Sequence, residues 1–503
     1  MKRYMLGLLV ILAPAAALAQ TNPAVQAART WRMQHERAIV DEFVGLLRIP
    51  NVSQDRQNIL RNAELIEKMM EQRGVAARLV SVPGANPVVF GEIRTPGATR
   101  TIVFYAHYDG QPLDPKEWAA PPFEPVLRDR RIEEGGRPIP FPPAGRPFDP
   151  ESRLYARSAA DDKTPIVAIL AALDAVRAAG LKTRSNIKLA FEGEEETGSP
   201  NLQKILAANK DLFSGDVALM LDGPLHQTRR QSVTFGWRGV SVVDLTVYGP
   251  RTELHSGHYG NWAPNPAMTL ARLLTSMKDD AGRVSIDHFY DGIEPLGQAE
   301  KLAVAESPDV DAGLMREFWL GATEGAPRKL AESINAPSLN VRGMASSRIG
   351  AEASNVIPAS ATATIDMRLV KGMDPHQIVD RLVAHVRKQG FFVVESEPGA
   401  EVRLAHAKVA RLVLKSAQNP YRTPMNLPIA QEVVRVVESA RGPVVKIPSS
   451  GGSLPDAFVT ALNMPSIAIA IGNHDNNQHS FNENLRIQNL WDGIELMATL
   501  LTM

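Results

Sequence analysis

The chain contains no cysteine among its 503 residues, and that absence removes disulfide bridges, thiol nucleophiles and thiolate metal sites. Any metal ion must then be held by His, Asp and Glu. The chain also lacks net charge: 55 Lys and Arg balance 55 Asp and Glu, and no long basic block is present to attract nucleic acid or anionic lipid. A small, polar substrate is expected instead. Long apolar runs are missing beyond the first twenty residues, MKRYMLGLLVILAPAAALAQ, where Lys2 and Arg3 precede a short apolar stretch interrupted by Pro14 and closed by Ala17-Leu18-Ala19. This is the layout of a signal peptide over residues 1–19, too short to span a bilayer that requires about 20 apolar residues. The mature protein is expected to be soluble and exported, periplasmic in a two-membrane bacterium. There is no fixed-period repeat, and no G-x-S-x-G elbow follows a strand, which weighs against a serine hydrolase.

What is present is a composition of 44% apolar and 22% charged residues, that of a globular chain with two or three domains. Ile39, Val40, Phe43, Leu46 and Leu47 recur at helical spacing, and a second helix is expected over 58–73, stopped by Gly74. Short β-branched or aromatic runs follow at 75–82, 87–93 and 101–106. A helix is expected over 165–179, then strands at 186–191 and 217–221. Strands alternating with helices argue for an α/β sheet, mixed and mainly parallel, covered on both faces. Residues 114–150, crowded with Pro, Gly and charge, read as a long surface excursion. The texture changes over 236–420, which reads as an inserted α+β domain within a catalytic domain of residues 28–235 and 421–503.

Each polar cluster lies just past the end of an expected strand. His107 and Asp109 follow TIVFYA, and Asp161-Asp162 precede the 165 helix. Glu194, Glu195 and Glu196 follow IKLAF, Asp222 follows VALML, and His479 comes shortly after SIAIAIG. In open α/β sheets the carboxyl ends of the strands border the ligand crevice, so these segments can converge. Taken singly, the acidic run reads as a solvated loop, and Asp161-Asp162 as a cap for the helix near Pro165. Together, two imidazoles and several carboxylates suit divalent Zn, Mn or Co. They oversupply one ion but suit two ions about 3.5–4 Å apart. Alternation along an extended chain lets Asp109 accept the second N–H of His107 and orient its ring.

These segments resemble the M20 family of two-metal peptidases, and most closely its carnosinase-like dipeptidase branch. The motifs are YAHYDGQP, SAADDK, EGEEETGS, LMLDGP and HSFNE. The resemblance implies that His107, Asp161 and Asp222 hold one ion and Asp161, Glu196 and His479 the other, with Asp161 bridging. It makes Glu195 the general base and leaves Glu192 and Glu194 as supporting or solvated groups. It also implies a lid and dimerisation role for the inserted domain, and a homodimer. TELHSGHYG is similar to the lid segment whose histidine reaches the reacting carbonyl, here His255, in its own site or a partner's. His258 is expected to be a surface residue. SNVIPASATATIDMR and SSGGSLP are similar to segments that bind the substrate carboxylate, here through Asn355, Arg368, Gly451, Gly452 and Ser453. An arginine fork suits that task.

The implied reaction is metal-assisted hydrolysis of dipeptides or short peptides with a free C-terminal carboxylate. An N-acyl-amino-acid amidohydrolase is the nearest alternative, and a non-catalytic binding protein on the same fold a remote one. Ala106, Arg157-Ser158 and Thr164 depart from the family pattern, which has Gly-Arg-Gly ahead of the bridging aspartate and a glycine after Asp-Asp-Lys. None of them removes a proposed ligand.

Overall fold

A computed structural model describes residues 22–451 and 457–503. The signal peptide expected over 1–19 and the substrate residues Gly452 and Ser453 lie outside the described residues.

The strand Thr101–His107 organises the fold. Its residues from Ile102 onward are buried. Ile102, Phe104 and Ala106 enter one apolar cluster, while Val103 and Tyr105 enter another. Alternation therefore delivers apolar side chains to both faces of the sheet. The sheet has eight strands in the order Ala76–Val80, Val88–Ile93, Asn186–Glu192, Thr101–His107, Val217–Met220, Ser466–Ala468, Ser232–Thr234, Val445–Ile447. The four strands from Asn186–Glu192 to Ser466–Ala468 are mutually parallel, with antiparallel pairings on either side. Their carboxyl ends thus share one edge.

Helices Pro23–Leu47, Lys163–Ala178 and Ile487–Leu501 pack together on one face. Leu202, Ile205, Phe213 and Phe458 cover the other. The second helix runs Arg56–Gln72, its start capped by Asp55 accepting the Asn58 N–H. Helix Lys163–Ala178 begins two residues earlier than its sequence suggests, and the Asp162 side chain makes no capping bond there. It accepts the His107 N–H instead, at 3.3 Å. The capping reading of this pair is therefore corrected, because the buried strand end offers Asp162 a donor.

After Ser232–Thr234 the chain leaves this sheet and builds a five-stranded one between Gly239–Tyr248 and Val409–Gln418, then returns at Val445–Ile447. Helices Pro266–Thr275 and Pro375–Lys388 pack on this second sheet. The 114–150 stretch is more than a surface excursion. Val126–Arg128 pairs with Arg153–Tyr155, which pairs in turn with Asn484–Arg486, and Leu127 and Phe148 are buried in the core. Among the described residues, no helix is long and apolar enough to cross a membrane.

Lys163 is fully buried, and its ammonium donates to the carbonyls of Leu46 (2.9 Å) and Ile49 (3.3 Å), at the end of helix Pro23–Leu47. It ties that helix end to the loop carrying Asp161. Replacing Lys163 by Met would leave the buried Leu46 carbonyl and the partly buried Ile49 carbonyl without their donor, and urea unfolding is expected to show a loss of about 1–3 kcal/mol. An unchanged midpoint would mean that the carbonyls find other partners.

Candidate active site

Three parallel strands deliver the centre of the site. His107 closes one, Glu194–Glu196 follow the turn after the second, and Asp222 stands two residues past the third. The turn needs a glycine, since a Cβ on Gly193 would lie 2.5 Å from the Tyr108 hydroxyl, which donates to the Pro87 carbonyl. Asp161 comes from the loop before helix Lys163–Ala178. His479 comes from the loop after Ser466–Ala468, where its φ of 59° places it in left-handed backbone.

These residues meet. Asp161 lies between two imidazoles, its Oδ1 3.0 Å from His107 Nε2 and its Oδ2 3.1 Å from His479 Nε2. Glu196 Oε2 is 3.2 Å from the same His479 nitrogen and accepts the Gln111 amide at 2.6 Å. Glu195 Oε2 and Asp222 Oδ2 stand 3.9 and 4.0 Å from His107 Nε2. Asp109 Oδ1 is 3.4 Å from His107 Nδ1. The Asp109 carboxylate also accepts the backbone N–H groups of Glu195 and Glu196, each at 3.1 Å, and the Ser53 hydroxyl at 2.5 Å. It therefore orients the glutamate turn as well as the histidine. Glu192 and Glu194 are buried supports rather than a solvated run. Glu192 accepts the Tyr105 and Ser199 hydroxyls, and Glu194 the Asn86 N–H and the Asn201 amide.

So much buried charge disturbs the titration of the cluster. Burial raises Glu195 well above the usual carboxylate range and lifts Asp222 to about 7, helped in the latter by Asp161. Burial opposes a charged His107, but hydrogen bonds to Asp109 and Asp161 outweigh it and hold its pKa well up. Hydrogen bonds to Asp161 and Glu196 raise His479 to about 10. Protein groups alone thus balance the carboxylates only by retaining protons, a balance that divalent cations would replace. Two sets of potential ligand atoms lie within 4.8 Å of one another: His107, Asp161 and Glu196, and His107, Asp162 and Asp222. The donor set fits Zn-, Mn- or Co-type ions. Sequence reasoning assigned Asp162 no ligand role.

A cavity of about 710 Å³ opens here, lined by Asp161, Glu195, Asp222, His479, Arg368 and Gly451 among others. Arg368, on strand Ser360–Leu369 of the second sheet, donates to Asp366 at 3.0 Å and to the Gly451 carbonyl at 3.4 Å. Neither His255 nor Asn355 is among the described residues that line this cavity. They sit together elsewhere, both exposed, with the Asn355 carbonyl accepting the Ser256 N–H. The His255 ring lies 4.4 Å from the equally exposed His258 ring.

Residues 103–503 match the profile of Peptidase family M20/M25/M40. The chain belongs to this family. It is 24% identical over 483 residues to a Cys-Gly metallodipeptidase of Saccharomyces cerevisiae, covering 90% of this chain and 93% of that one. It is also 24% identical over 490 residues to a Beta-Ala-His dipeptidase of Homo sapiens, covering 91% and 89%. An M20 family metallo-carboxypeptidase from Sulfolobus solfataricus superposes with a TM-score of 0.74 at 26% identity, over 92% of this chain and 98% of that one. The protein is thus an M20-type metallopeptidase with the mixed α/β fold of that family.

Ser53, Gln111 and Asn86 escaped sequence reasoning. Ser53 and Asn86 arrive from distant loops that no spacing rule links to the cluster, whereas Gln111 stands inside the YAHYDGQP motif, two residues past Asp109.

With Asp161 between both imidazoles, Asp161→Asn is expected to retain roughly half or less of the wild-type metal after dialysis, since a carboxylate in that position would serve both ions of a two-metal site. Asp162→Asn should stay close to wild type. The reverse order in metal analysis would give the bridging position to Asp162.

Proposed function

We propose that the protein is an exported, periplasmic dipeptidase or short-chain peptidase. It cleaves the amide bond of substrates with a free C-terminal carboxylate at a centre of two divalent ions, zinc first and manganese or cobalt as alternatives. The observation that carries this reading is the single carboxylate of Asp161 shared between His107 and His479 on the wall of one cavity with Arg368. His107, Asp161 and Asp222 would hold one ion, and Asp161, Glu196 and His479 the other. When bound, such ions supply Lewis acidity to a water and to the scissile carbonyl.

The chain's own groups do the rest. Glu195, beside His107 and on the cavity wall, takes a proton from the attacking water and returns it to the leaving amine. Asp109 fixes the His107 ring and the backbone of Glu195 together, so base and ligand keep their spacing. Arg368 grips the substrate carboxylate through its guanidinium, with Gly451 on the same cavity wall. The cavity also has room for the acyl chain of an N-acyl amino acid, so such compounds belong in the same substrate panel. Arg368→Ala is expected to lower kcat/KM for dipeptides by roughly 10–100-fold, the worth of a charged hydrogen bond. C-terminal amides should change little, and equal losses for acids and amides would remove Arg368 from carboxylate recognition.

The protein works as a homodimer in this reading, and His255 of the partner subunit completes each site as an oxyanion donor. Two observations support it. His255 is exposed away from the cavity of its own chain. The strand Ser338–Ala345 forms an open edge of the second sheet, with Val341 and Met344 exposed, and unpaired apolar edges favour pairing with another chain. Glu195→Gln and His255→Ala homodimers should each be nearly inactive, the latter by about 10²–10³-fold. Subunit exchange between them should restore one working site per mixed dimer. No recovery after proven exchange would place His255 in its own subunit's site.

A further inference from the structure

Glu483 ends the HSFNE motif, and neither the metal ligands nor the base accounts for it. It is fully buried, one residue before the strand Asn484–Arg486 that pairs with Arg153–Tyr155. Its carbonyl accepts the Ala156 N–H, so its main chain is fixed to the segment leading into the Asp161 loop. Its side chain then turns under that loop. Oε1 accepts the backbone N–H groups of Ala160 (2.9 Å) and Asp161 (3.0 Å). Oε2 accepts the Ser158 N–H and Arg157 Nη1, both at 2.9 Å.

The loop needs such a clamp. Ser158 stands where the family pattern has a glycine, and its φ of 61° lies in the left-handed region that side chains rarely adopt. A strained residue of this kind persists only where its surroundings over-determine it. From the other side, the Trp118 ring lies 5.0 Å from the Arg157 guanidinium. The Ala119 N–H donates to Asn482, beside Glu483. The 115–122 segment therefore closes over the clamp.

We propose that Glu483 is the positioning residue of the metal centre: it fixes the main chain of Asp161 relative to the His479 loop, and so sets the spacing of the ligands on either side of the bridging carboxylate. It touches neither substrate nor ion. This rests on the two-ion reading above. The chemistry is specific to a carboxylate, because each of its oxygens receives two N–H donors. An amide has one acceptor oxygen, so in Glu483→Gln the NH₂ must face a pair of donors whichever way it is turned.

The test is metal affinity, measured by chelator competition on apo-protein with Zn²⁺ as the probe. Glu483→Gln is expected to bind about 10–100-fold more weakly than wild type, as for residues that support ligands through hydrogen bonds, while turnover recovers at saturating metal. The control is Glu495→Gln, another buried carboxylate, which pairs with Arg29 at 2.8 Å. It should lose stability without losing metal affinity. Wild-type affinity in Glu483→Gln, or equal losses in both variants, would overturn the proposal. If Glu483→Gln does not fold, Trp118→Ala, which unstacks Arg157 from outside, must weaken binding in the same direction, and unchanged affinity there would also overturn it. Failure of wild-type protein to bind Zn²⁺ would instead defeat the two-ion reading itself.

Discussion

The arrangement depends on crowding carboxylates into a buried pocket and then balancing them. Two unit charges of the same sign about 4 Å apart repel by about 4 kcal/mol at an effective dielectric of 20. Here Asp109, Asp161, Glu195, Glu196 and Asp222 converge on His107 and His479. The two rings offset part of this cost only by holding protons, and burial lifts Glu195 and Asp222 towards their neutral forms. A site that is electrostatically incomplete on its own is one that favours divalent cations. The same imbalance explains why so many neutral donors, from Ser53 to Gln111, are aimed at these oxygens.

Holding like charges together requires a stiff frame, and the frame is apolar. Strand Thr101–His107 is buried on both faces, and three helices lock one side of it. Lys163 joins the end of helix Pro23–Leu47 to the bridging loop through two carbonyls. The 114–150 stretch adds a third layer of support by pairing Val126–Arg128 with the strand that leads into that loop. A segment rich in Pro and Gly thus acts as a buttress for the Asp161 loop.

The second sheet supplies what the first cannot. Arg368 reaches the cavity from the strand Ser360–Leu369, across a break in the chain's path between the two sheets. His255 and Asn355 come from the same unit but stay outside the cavity. That division separates the buried His and carboxylate cluster, built around the first sheet, from the polar groups that the second sheet carries.

Many of the elements and the polar clusters at the strand ends were legible in the chain because they rest on short-range rules. Alternating or continuous apolar runs mark strands, helical spacing marks the second half of Pro23–Leu47 and most of Arg56–Gln72, and clusters at strand ends mark the site edge. Position picked out His107, the Asp161-Asp162 and Glu194–Glu196 clusters, Asp222 and His479, the family resemblance chose among the clustered acids, and the structure brings these residues together. The cap that Asp161-Asp162 suggest when taken singly, and the solvated alternative for Glu192 and Glu194, failed for one reason. Both considered only water or neighbours along the chain, when the donors came from residues distant in sequence, the His107 N–H for Asp162 and the Asn86 N–H, 108 positions away, for Glu194. Glu483 shows the same limit, since its four donors lie more than 320 residues away. Composition and periodicity determined which residues carry charge and where the strands end. Only the tertiary structure decided which buried oxygen meets which donor, because that depends on contacts between loops whose separation along the chain carries no pattern.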